Sequence, residues 1–111
     1  MDKLRIYNSS VDLVVEVYSL IRKNKGLNSD WSLSDQLRRA SVSVPANIAE
    51  GYLRTKKQFK NYLRIASGSA NEVVALLHII NKVYKIDTLV LQESFKVLAK
   101  QISAFSNKLL G

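Results

Sequence analysis

Cysteine is absent from this 111-residue chain, which excludes disulfides, thiolate nucleophiles and Cys-based zinc sites. Without a disulfide-forming, secretory context, the triplet Asn8-Ser9-Ser10 is a glycosylation pattern by coincidence only. Histidine occurs once, at His78 in Leu-Leu-His-Ile-Ile, with no acid or second histidine three or four residues away, the spacing a helical metal pair needs. No metal and no cofactor is expected. With one proline and four glycines, the chain has neither a phosphate-cradling glycine loop nor a nucleophile elbow, and catalysis is not expected. No uninterrupted apolar run approaches the ~18 residues of a membrane span. The start MDKLRIYNSS lacks the apolar core of a signal peptide, so the expected location is cytoplasmic, with no membrane partner. Acids are scarce as well: nine stand against seventeen lysines and arginines, a net charge of +8. Such a field attracts polyanions, nucleic acid above all.

What is present is helical periodicity. The length is that of one domain, residues 1–111, and a hydrophobic share of 47% against 23% charged residues is enough to fold it. From about Ser9 to Lys25, one apolar row holds Val11, Val14, Val15, Tyr18 and Ile21 and another holds Leu13, Val17 and Leu20, more surface than one packing partner hides. Gly26 is the expected stop, followed by a loop over 26–33 in which Trp31 covers the end of the fold. A second helix from Ser32 or Ser34 points Leu37, Ala40, Ser41, Val44, Ile48 and Gly51 inward. Pro45 predicts a kink, or a break near Ser43. Across from that face Arg39, Ser43, Ala46 and Glu50 align, with small residues that let a neighbouring helix come close. Asn47 and Glu50 are expected to compensate the Ser41 carbonyl that Pro45 leaves free.

Thr55 and Gln58 have capping-box spacing, so a third helix starts at Lys56. Along it Phe59, Leu63, Ala66, Ala70, Val73, Leu77, Ile80 and Tyr84 form a four-three seam, with Ile65, Leu76, Ile79 and Val83 as a further apolar sector. Asp87 or Thr88 caps a last helix that buries Leu91, Phe95, Leu98, Ile102, Phe105 and Leu109. The expected fold is all-α: an antiparallel up-down four-helix bundle with a proline-kinked second helix.

Residues 34–69 carry +5 of the net charge of +8. Lys56, Lys60 and Arg64 step by four along one side of the third helix. Arg54 and Lys57 extend that stripe at its start, and Asn71, His78 and Lys82 continue it. Such a stripe either tracks a phosphate backbone or is a solvated helix face. Tyr52 and Tyr62 are the only aromatics placed to stack. Glu50 and Glu72 are the acids of this region; each is a general base if buried, or else an ion-pair partner of Arg38, Arg39 or Arg64.

The run Leu37-Arg38-Arg39-Ala40-Ser41-Val42-Ser43-Val44-Pro45-Ala46-Asn47-Ile48-Ala49-Glu50-Gly51, followed by Lys56-Lys57-Gln58-Phe59 and by Gly68-Ser69 with Glu72, resembles the bacterial four-helix-bundle proteins encoded in intervening sequences of 23S ribosomal RNA genes. A related branch is the accessory protein of diversity-generating retroelements. The resemblance implies a ring-shaped homopentamer with no catalytic residues. It also implies nucleic acid and a reverse transcriptase as partners. A protein-interaction scaffold, its charge serving solubility or an acidic partner, is the alternative.

Overall fold

A computed structural model describes residues 2–109. They form five helices: α1 (Lys3–Lys23), α2 (Lys25–Ser29), α3 (Trp31–Tyr52), α4 (Lys56–Tyr84) and α5 (Leu89–Lys108). The all-α class is the expected one, with four long helices and one additional turn, α2.

Helix α1 begins at Lys3, not Ser9, because Asp2 caps it: its carboxylate accepts from the Arg5 N–H at 2.9 Å. The polar run Tyr7-Asn8-Ser9-Ser10 stays helical. Ser10 is fully buried, but its hydroxyl donates to the Tyr7 carbonyl at 2.6 Å and so leaves no polar group unpaired. Of the two apolar rows, Val17 faces the core with Leu13 and Leu20 against it, while Val15 and Tyr18 are exposed. The helix stops at Asn24, not Gly26, with the Asn24 side-chain amide bonded to the Leu20 carbonyl at 2.8 Å. Residues 26–33 are therefore no loop. They hold most of α2, whose Leu27 is fully buried, and Asp30, which caps α3 by accepting from the Leu33 N–H. Trp31 is 77% exposed and covers nothing.

Asp30 also accepts from the Tyr84 hydroxyl at 2.6 Å, tying the start of α3 to the end of α4. That hydrogen bond, and after it the Leu33 N–H, holds the Asp30 carboxyl below the usual range against an opposing effect of burial. The same bond is the first cause that raises the Tyr84 phenol, burial the second. Since the Asp30 value is depressed, its contribution to stability is complete above about pH 4 and is lost as pH falls through the folded-state value. Since the Tyr84 value is raised, its contribution is complete below about pH 10 and is lost as pH rises through the folded-state value. Tyr84→Phe is expected to move the Asp30 titration upward, which carboxyl NMR will read, and to abolish the alkaline loss.

Helix α3 runs unbroken through the buried Pro45, so the break near Ser43 does not occur. The Asn47 amide donates to the Ser43 carbonyl at 2.8 Å and to the Ser43 hydroxyl at 2.9 Å, while Ser43 meets the hydroxyl of Ser69 on α4 at 2.8 Å. Asn47 thus supplies local polar compensation, though at Ser43 and not at the Ser41 carbonyl. Glu50 takes no part. Ala46 and Glu50 are exposed, so the close approach of α4 is at Ser43 and at Gly51.

Three residues, Leu53 to Thr55, reverse the chain into α4, and the capping box forms in both directions at 3.2 Å. Ser43 lies by Ser69 and Gly51 by Tyr62, so α4 returns along α3 in the opposite sense. On the other side Thr88 bonds the Leu77 carbonyl and Ser67 the Ala99 carbonyl, so α5 reverses again. At ~1.5 Å per residue the 29 residues of α4 span ~43 Å, nearly the 46 Å length of the molecule. A window of α4 is long and apolar enough by composition alone to cross a membrane. Its seam from Phe59 to Ile80 is nonetheless the bundle core. Helix α1 packs on α3 and α5, and so does α4. The α1/α3 and α4/α5 sides are therefore opposite faces of the bundle.

Helix α4 ends with Lys85 in the left-handed conformation, φ 58°. A side chain there costs about 1 kcal/mol relative to glycine. Lys85→Gly is expected to raise stability by about 0.5–1 kcal/mol, readable by denaturant titration. At the start of α5 only one of the two expected caps bonds the helix's own backbone: the Asp87 carboxylate accepts from the Leu89 N–H, while buried Thr88 stands at the cap position but turns its hydroxyl to the Leu77 carbonyl and accepts the Gln92 side-chain amide.

Candidate functional site

The basic stripe is where its spacing places it. Lys56, Lys57 and Arg64 are exposed and Lys60 is half-buried on the first two turns and a half of α4. Arg54, in the turn before it, is bound otherwise: its guanidinium donates to Glu50 at 2.5 Å and stands 5.8 Å from the Tyr62 ring centre. The bond to Glu50 is the first cause that holds Arg54 firmly protonated. The other ion pair among the described residues is Arg39 with Asp35, at 2.8 Å. Both pairs are exposed and contribute little to stability. Among the described residues Lys56, Lys57, Lys60 and Arg64 have no carboxylate partner.

The expected partners of the two acids are corrected by this geometry. Glu50 pairs with Arg54, whereas Arg38 packs toward the Tyr18 ring and reaches Asn28 and Ser34. Glu72 is exposed and, among the described residues, in no ion pair. Neither acid is enclosed as a general base would be. Tyr52 and Tyr62 have their faces engaged, Tyr52 by Lys3 at 4.4 Å and Tyr62 by Arg54. Asn71, His78 and Lys82 are exposed along the continuation of the stripe. Among the described residues no group of three His, Asp or Glu side chains gathers as metal ligands do.

The remaining motif residues shape α3 and α4. Pro45 is buried within α3, Asn47 bonds Ser43, and Gly51 leaves room for the Tyr62 side chain. Gly68 differs from these, since a methyl group there would meet nothing within 4 Å.

One feature was missed in the sequence. Lys60 and Arg64 border a groove between α4 and α5 with Leu63 in its lining, and Lys96 and Lys100 border its continuation over Ala99 and Ala104. Lys96 and Lys100 step by four on α5, which is the signal that pointed to the α4 stripe. On the opposite face, Leu4, Tyr7, Ala49, Tyr52 and Leu53 line an apolar groove between α1 and α3. Ile65, Ile79 and Val83 are exposed on α4, away from that groove.

The molecule is thus a small, basic, all-helical bundle with its polar chemistry on open surfaces. The chain belongs to the family of 23S rRNA-intervening sequence proteins, which it matches over residues 2–111. A crystal structure of a protein with unknown function from the S23 ribosomal protein family of Bacteroides thetaiotaomicron is similar to it. The two share a TM-score of 0.78 and 23% identity over 98% of this chain and 97% of the other, a likeness of fold. No curated protein matches the chain significantly.

Proposed function

We propose that this protein is a noncatalytic nucleic-acid-binding bundle that contacts phosphates through the start of α4 and works as a ring-shaped homo-oligomer of five subunits. The group Lys56, Lys57, Lys60 and Arg64, without a carboxylate partner among the described residues, carries this reading. Cations held on one rigid helix and free of carboxylates gain most from replacing small counterions with a polyphosphate strand. The oligomer is supported by two separate exposed apolar surfaces, the α1/α3 groove and the Ile65, Ile79 and Val83 sector. Two unlike patches on one subunit fit a head-to-tail ring. A reverse transcriptase acting on the bound nucleic acid is the further partner that the resemblance implies.

Fluorescence anisotropy with labelled RNA and DNA at low salt tests the reading. Wild type is expected to bind with little sequence preference, affinity falling by about 0.7–0.9 in log–log slope for each phosphate neutralised. Lys60→Glu with Arg64→Glu is expected to weaken binding at least about a hundredfold while circular dichroism stays unchanged, because neither side chain is in the seam. Undiminished binding by that double variant, or none by wild type, favours a protein-interaction scaffold instead.

A further inference from the structure

The groove between α4 and α5 has a floor and two cationic ends. One half is lined by Lys60, Arg64, Gly68 and Ser106, the other by Asn71, Lys96 and Lys100, and Ser67, Ser103 and Asn107 are common to both. No acid lines either half. Ser67 stands 3.2 Å from the Ala99 carbonyl and 3.0 Å from the Ser103 hydroxyl, and the exposed Ser103 hydroxyl can also turn to an incoming oxygen. From Lys60 to Asn71 the groove extends ~16 Å along the α4 axis.

Gly68 supplies an independent observation. A glycine inside a helix costs about 0.5–1 kcal/mol relative to alanine. Here no described residue comes within 4 Å of where the side chain would be. The open space leaves the bare backbone at the groove's edge accessible from outside the chain.

We propose that this groove seats the phosphodiester backbone of one nucleic-acid strand, passing over Gly68, with Lys96 and Lys100 of α5 forming a second cationic bank diagonal to Lys60 and Arg64. The inference rests on the nucleic-acid reading above and adds to it the second helix and the path. Ser103 and Asn107 bond phosphate or sugar oxygens between the banks. No aromatic side chain lines the groove, so the bases point outward and sequence goes unread. The groove's length suits about four nucleotides, the short end of strand-tracking sites.

The test is anisotropy with a labelled single-stranded 12-mer and its duplex. Lys96→Glu with Lys100→Glu is expected to weaken single-strand binding at least about thirtyfold. Lys96→Ala with Lys100→Ala is expected to reduce the salt slope by about 1.4, two contacts at about 0.7 each. Gly68→Ala is expected to weaken binding severalfold while raising the melting temperature, a combination that a purely structural role would not give. If both α5 double variants bind like wild type while Lys60→Glu with Arg64→Glu has lost binding, the groove is wrong and the α4 site stands. Binding of duplex alone also overturns the single-strand path. Absence of wild-type binding to either probe removes both readings. Should the α5 double Glu variant fail to fold, the slope of the Ala pair decides.

Discussion

Gly51→Ala is expected to lower the melting temperature by about 5–10 °C, and Gly68→Ala to raise it by about 2–5 °C, at one fixed protein concentration. The two are the same chemical change in neighbouring helices. At position 51 the new methyl group would stand 2.6 Å from the Tyr62 Cβ and 2.9 Å from the Phe59 Cδ1. The Tyr62 Cβ is rooted in the α4 backbone and cannot rotate away, so α3 and α4 must part where the chain turns. Overpacking of this kind costs about 1–3 kcal/mol. The helix propensity gained by losing glycine returns up to about 1 kcal/mol. At position 68 only the gain remains, because the space is open. For a domain of this size 1 kcal/mol corresponds to about 4–6 °C. Equal shifts of one sign in both variants would contradict this account of the α3–α4 contact.

Leu53→Glu and Ile79→Glu are each expected to turn the proposed ring into monomers, and an equimolar mixture of the two to form dimers. Leu53, 87% exposed, lies on the rim of the α1/α3 groove; Ile79 belongs to the other apolar surface. In a head-to-tail ring every subunit uses both surfaces, so one damaged surface breaks every joint. In the mixture, the intact groove of one variant meets the intact α4 sector of the other, and growth ends after a single joint. A self-complementary dimer would not be rescued by mixing. Light scattering after size exclusion distinguishes these outcomes, and a wild-type monomer at micromolar concentration would end the oligomer proposal.

Much of the architecture was legible because its signals are local. The Thr55–Gln58 capping box and the four-three seam of α4 need only neighbouring residues to be read, and both are in place. The errors arose where one side chain decides. The cap at Asp2 lies well before the helix start expected near Ser9, and the polar run Tyr7-Asn8-Ser9-Ser10 joins the helix with the Ser10 hydroxyl satisfied on its own turn. Gly26 looked like a helix stop, but Asn24 closes α1 first. Spacing along the helices offers Glu50 the arginines Arg38, Arg39 and Arg64, yet it pairs with Arg54, which the turn after α3 holds four residues away. Of the candidate site, the α4 bank could be read from spacing. The α5 bank offers the same spacing in only two residues, Lys96 and Lys100, and that they share a groove with the α4 bank is decided only when α5 docks beside α4.

The turn of three residues between α3 and α4 also bears on the order in which the bundle assembles. Closing so short a connection loses little chain entropy, whereas bringing α1 against α5 requires nearly the whole chain to be gathered first. The α3–α4 hairpin, latched by Thr55 and Gln58 and closed over Gly51, is therefore the expected nucleus, and α1 the last helix to dock. Damage at Gly51 then slows folding, whereas damage along α1 chiefly hastens unfolding. In the folded protein, α1 is the helix that should exchange its amide protons soonest.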